Sequence, residues 1–180
     1  TIMAPINGKE LREMLKSTLS DPKGPTAIRY SRGEAGRLYE DQWEELEYGK
    51  GQILEKGREA VILAVGNMIP EAHKAVEILK KYGYEIGLVN PRYMKPMDEE
   101  LLKSLSGQYP LIVTLEEGIL NGGFGSMAAR CLMENDYKGK VRSIGIQDQF
   151  VEHGSVQELR KMLGIDGEHI AASIRQWIEE

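Results

Sequence analysis

The chain has 180 residues, 41% of them hydrophobic and 28% charged, enough to bury a core and to fill one domain plus part of another. Its formal net charge of −5 gives no basic field for phosphates, which argues against a nucleic-acid partner. No apolar run approaches the roughly 20 residues of a membrane helix, and the opening TIMAPINGKE lacks the basic-then-apolar order of a signal peptide.

The single cysteine, Cys131 between Arg130 and Leu132, has no internal partner for a disulfide, reads as core and suits a reducing, cytoplasmic setting. The chain opens on Thr1 directly before an apolar triplet at residues 2–4, which reads as the end of a buried strand and as a cut from something longer. Asn7 is placed to cap a helix carrying Leu11, Met14, Leu15 and Leu19 at helical spacing, and the DPKGP turn stops it. TAIRY, residues 26–30, has the β-branched and aromatic content of a buried strand. Residues 31–48 turn polar and acidic and read as an interdomain linker, with a boundary near residue 47.

Beyond the boundary a short strand is expected near residues 51–54. Three apolar strands follow, AVILAV (60–65), EIGLVN (85–90) and LIVTLE (111–116), alternating with helical segments. One helix starts near Pro70, turns Ala72, Ala75, Val76, Ile78 and Leu79 inward and stops at Gly83. Asp98 caps a second, a third follows the glycines at 122–125, and VRSIGI (141–146) gives the next strand. Ser155 and Glu158 have capping-box spacing for a fourth helix, and Asp166 opens a last one ending at Trp177. The pattern predicts an α/β fold with a mostly parallel sheet covered on both faces.

Arg29 and Arg32 in IRYSRG fall at a strand's carboxy end, where open α/β sheets bind ligands and where a guanidinium suits a phosphate. From spacing alone, surface ion pairs with acids such as Glu34 or Glu40 are the simpler account, since such pairs are common. GILNGGFGS (118–126) lifts Gly122, Gly123 and Phe124 into a strand-to-helix turn that could expose amides to an anion. It matches neither the dinucleotide nor the Walker pattern, and glycines needed for a tight turn and close helix packing are the simpler account. Glu116 and Glu117 could form an acid–base pair, but neighbours on a strand face opposite ways. One of them is then expected on backbone amides or a subunit partner. His153, near Asp148 in the loop QDQFVEHGS, is suited to proton transfer, to capping the next helix or to filling an interface. His73 and His169 lack a second ligand at i+4, so no metal site is expected.

Taken together, MAPINGKELREML, GPTAIRYSRG, LEYGKGQILEKG, VNPRYMKPMD, TLEEGILNGGFGS and DQFVEHGSVQEL resemble, in order and across essentially the whole chain, the carboxy-terminal part of the 1-deoxy-D-xylulose-5-phosphate synthases of the transketolase superfamily. The resemblance implies that residues 1–46 end a pyrimidine-binding domain and its linker, and that residues 47–180 form a three-layer transketolase carboxy-terminal domain. It implies a parent that condenses pyruvate with D-glyceraldehyde 3-phosphate, using thiamine diphosphate and Mg²⁺ bound mainly by residues absent here. By position in the family's motif, Arg32 resembles the arginine that binds the aldehyde's phosphate, with Arg29 as a helper. Ser31 stands where the family usually has proline, which loosens the backbone before Arg32. Glu116, Glu117, Gly122, Gly123, Phe124 and His153 are then expected to be structural or interfacial in a homodimer, with no catalytic residue in this part. The competing readings are a separate transketolase half, a 2-oxo acid dehydrogenase β subunit, or a non-catalytic dimerisation or regulatory module.

Overall fold

Residues 1–42 and 44–180 are described in a computed structural model. The chain begins with β1 (Ile2–Met3), after which Asn7 accepts from the Glu10 amide at 2.8 Å and starts α1 (Gly8–Ser20). β2 (Ala27–Ile28) then lies parallel to β1, with Ile2 opposite Ala27. One expectation fails here. TAIRY forms only this two-residue strand, and Ala27 is exposed, because β2 is an edge strand paired along one flank. Of the α1 apolar stripe, Met14 is buried against Met3 and Tyr93, whereas Leu15 and Leu19 are 48% and 84% exposed.

Past the boundary the elements are β3 (Gln52–Glu55), β4 (Ala60–Ala64), a 3-10 turn (Gly66–Met68), α2 (Ile69–Lys81) and β5 (Ile86–Asn90). They continue as β6 (Tyr93–Lys95), α3 (Glu99–Ser106), β7 (Leu111–Ile119), α4 (Phe124–Glu134), β8 (Lys140–Ile146), α5 (Val156–Met162) and α6 (Gly167–Glu179). Strand β6 has no clear sequence signal; it pairs antiparallel with β1 and so joins the small sheet β2-β1-β6 to the rest of the chain. β7 and α6 run past their expected ends at Glu116 and Trp177.

The main sheet has the order β3-β5-β4-β7-β8, parallel throughout except for β3 at the edge. Alternation along the strands splits the core in two. Ile62, Leu88 and Val113 face α2 and α6, while Val61, Leu63, Val89 and Ile112 face α3 and α4. Each such side chain contributes about 1.5–3 kcal/mol by leaving water. The chain leaves β4 through α2 to reach β5 on one side, then crosses back through α3 to β7 on the other. The connections leaving the paired carboxy ends of β4 and β7 therefore run to opposite faces, and such a switch point is where open α/β sheets place ligands.

Candidate functional site

At the switch point a cavity of about 110 Å³ is lined by Val65, Glu116, Glu117, Gly118, Phe124 and, from the end of β2, Arg29. The two glutamates end the buried run of β7 and point opposite ways, as strand geometry requires. Glu116, 8% exposed, accepts from the amides of Phe124 at 3.0 Å and Gly125 at 2.9 Å, so its carboxylate closes the amino terminus of α4. Gly123 and Gly125 are required by this packing. A Cβ on Gly123 would overlap the Glu116 carboxylate, and one on Gly125 would come within 2.5 Å of Thr114 Oγ1. The glycine turn is thus filled by the protein's own carboxylate. Phe124 is 3% exposed, and its ring lies in the core.

Glu117 is the hub. Its Oε1 accepts from Arg160 Nε at 2.9 Å and Nη2 at 2.8 Å, and its Oε2 accepts from Asn67 Nδ2. Its main-chain carbonyl accepts from Arg29 Nη2 at 2.7 Å. Asn67 makes this bond although its Oδ1 is left buried without a partner among the described residues, which fits an acceptor-only carboxylate claiming the amide's donor end. Arg160 also lies 3.5 Å from Glu71, which in turn accepts from Lys74 and from the Gly167 amide that begins α6.

Arg29 therefore does not pair with Glu34 or Glu40; its ion-pair partner is Glu117, at 3.9 Å. Arg32 is exposed in the bend after β2 and forms no ion pair among the described residues. His153 is exposed, and the following helix is capped by Ser155, as its spacing with Glu158 predicts, the Ser155 Oγ accepting from the Glu158 amide at 3.3 Å. In the same loop Phe150 is fully exposed and Val151 is 37% exposed.

The sequence gives no local signal for Arg160 or Asn67, which reach Glu117 from 43 and 50 positions away. It also misses a cluster in the linker, where the Tyr39 hydroxyl meets Glu55 and lies 2.8 Å from His73 Nδ1. Burial first, then the Glu55 hydrogen bond and charge, pushes the Tyr39 hydroxyl far above its ordinary pKa. Cys131 is core, as expected, with its thiol raised by burial and then by Glu99 and Glu134.

No group of three or more His, Cys, Asp or Glu side chains among the described residues is placed to hold a metal ion, and no helix among them is long and apolar enough to cross a membrane. The carboxylates at the switch point do not fit a metal-bound diphosphate either. Glu116 is engaged by α4 and Glu117 by Arg160.

A mixed α/β sheet with this strand order and this crevice is the architecture of a transketolase terminal domain, and the chain belongs to the transketolase C-terminal domain family, matched over residues 49–170. Its relatives narrow the class. It is 39% identical over 178 residues to the 1-deoxy-D-xylulose-5-phosphate synthase of Crocosphaera subtropica, covering 98% of this chain and 28% of that protein. It is 42% identical over 176 residues to the synthase of Chlorobium phaeovibrioides, covering 97% and 28%. The chain spans about 28% of the length of these curated relatives. Among solved structures it is similar to a split-gene transketolase in the form of an inactive β4 tetramer, with a TM-score of 0.90 and 27% identity over 99% of this chain and 57% of that one. A transketolase from Pichia stipitis, at TM-score 0.74 and 19% identity over 99% of this chain and 25% of that one, shares the fold.

Proposed function

We propose that this chain is the carboxy-terminal part of a 1-deoxy-D-xylulose-5-phosphate synthase, a transferase that condenses pyruvate with D-glyceraldehyde 3-phosphate. The observation that carries this reading is the 39–42% identity to such synthases over nearly the whole chain, against 27% to the split-gene transketolase. Residues 1–46 then end the pyrimidine-binding domain and its linker, and residues 47–180 form the terminal domain; the family match beginning at residue 49 supports this division. Thiamine diphosphate and its Mg²⁺ are held by parts of the enzyme outside this chain. The chain itself contributes packing, a homodimer contact and part of the substrate's phosphate site.

In that site Arg32 binds the phosphate of the aldehyde and Arg29 assists. Support comes from two exposed guanidinium groups at the carboxy end of β2, Arg32 with no competing ion pair among the described residues and Arg29 with a single distant one. A planar guanidinium meets two phosphate oxygens at once and keeps its charge at any physiological pH. The Glu117 carboxylate faces Arg160, so it leaves Arg29 only partly neutralised.

The similarity to a split-gene transketolase favours a second reading, a transketolase half. Assaying the full-length protein with pyruvate plus D-glyceraldehyde 3-phosphate, and separately with a ketose phosphate as two-carbon donor plus ribose 5-phosphate as acceptor, tests both. Deoxyxylulose phosphate formed only from the first pair supports the synthase; turnover confined to ribose 5-phosphate overturns it. This chain alone is expected to form no product.

A further inference from the structure

The phosphate reading leaves unexplained why Glu117 gathers two arginines and an asparagine around it. Exposure rises along the series, with the Arg160 side chain at 13%, Glu117 at 23% and Arg29 at 52%. Arg160 donates two N–H groups to a single oxygen, Oε1, and Asn67 takes the other, so the Glu117 side chain is fixed from both ends. The Arg29 guanidinium reaches this assembly mainly through the Glu117 main-chain carbonyl, at 2.7 Å, and lies 3.9 Å from Oε2. One terminal nitrogen, Nη2, is thereby held, while Nε and Nη1 have no bond to any described residue. A guanidinium carries five N–H donors, so most of the fork stays available to a ligand. Its charge also survives, because the nearest carboxylate is already shared with Arg160.

We propose that Glu117 and Arg160 are positioning residues for the phosphate end of the substrate. Arg160 and Asn67 fix the Glu117 side chain and with it the end of β7, whose Glu117 main-chain carbonyl holds Arg29 so that its free N–H groups meet a phosphate monoester at the mouth of the switch-point crevice. This rests on the synthase reading and deepens it, since Glu117 acts only through Arg29. The arrangement supplies rigidity to a long side chain that is half exposed, and fixing such a chain beforehand removes an ordering cost that binding must otherwise meet.

The test uses the full-length enzyme carrying this chain, with Glu117→Gln, Glu117→Ala and Arg160→Lys compared at matched melting temperature. Misplacing a phosphate-binding fork should raise KM for D-glyceraldehyde 3-phosphate by about five- to tenfold, with kcat changed by less than about twofold. KM for unphosphorylated glyceraldehyde should stay unchanged, and Glu117→Gln should be milder than Glu117→Ala because it still accepts from Arg160 and so keeps the main-chain carbonyl in place for Arg29. Equal changes for both aldehydes, or none for either, overturn the proposal and leave Glu117 as a packing residue. If the wild-type enzyme lacks synthase activity, the synthase reading fails separately. The positioning role is then read from calorimetric binding of inorganic phosphate, which should weaken by about the same factor in Glu117→Gln and which, if unchanged, also overturns it.

Discussion

Glu10 of α1 and Arg92 of the turn between β5 and β6 form a 2.7 Å ion pair in which the two side chains are 1% and 2% exposed. Glu10 also accepts from Asn90 and from the Ile6 amide, and Arg92, in the left-handed region at φ 56°, donates to Gln52 at 2.7 Å. The pair bolts the opening helix to the turn that leads into β6, and its satisfied hydrogen bonds offset the desolvation of both charges. Glu10→Gln should therefore cost about 3 kcal/mol, because it strands a buried cation. Urea unfolding of the chain checks this, and a double-mutant cycle with Arg92→Met should show strong coupling between the two positions.

The glycine turn before α4 makes a second prediction. Gly123→Ala should destabilise by about 1–3 kcal/mol, since its Cβ would displace the Glu116 carboxylate that closes the helix. Gly122 faces open space at φ 77°, so Gly122→Ala should cost only about 1 kcal/mol, from backbone strain. Thermal melts of the two variants should rank them in that order.

Alkaline pH should loosen the fold. Burial and then Glu55 hold the Tyr39 hydroxyl above its ordinary value, and burial raises Tyr137 to about 12. Both values rise on folding, so the stability they contribute is fully present below the unfolded tyrosine value of about 10 and is lost as pH climbs through the folded values. The urea midpoint should fall above that pH in step with tyrosinate absorbance, and Tyr39→Phe should flatten the fall.

Self-association through the loop at 147–155 is a further prediction. Phe150 is fully exposed, and Met162, Val156 and Ile119 add further exposed apolar surface. Sedimentation of the full-length protein should show a dimer at micromolar concentration, and Phe150→Asp should shift it toward monomer.

The α/β alternation and the helix caps at Asn7, Asp98, Ser155 and Asp166 were legible in the sequence because each depends on neighbours a few residues apart. The opposed directions of Glu116 and Glu117 follow from the two-residue period of a strand in the same way. Strand β6 was not legible, since its three residues pair with a strand some ninety positions earlier. TAIRY misled because β-branched composition reports a preference for strands, not the presence of neighbours on both flanks. The ion cluster around Glu117 was hidden for a related reason. Its members come from the segment just after β2, the 3-10 turn and α5, and only the folded chain brings them together.

The most direct test of the account is the aldehyde preference of Arg32→Ala in the full-length protein. Losing one charged hydrogen-bond partner costs on the order of 1.5–3 kcal/mol, or roughly ten- to a hundredfold in an equilibrium constant. The account predicts that kcat/KM for D-glyceraldehyde 3-phosphate falls by about that factor, that unphosphorylated glyceraldehyde is unaffected, and that Arg32→Lys recovers only part of the loss because lysine lacks the planar fork. An equal fall for both aldehydes would contradict it and leave Arg32 with no part in holding the phosphate.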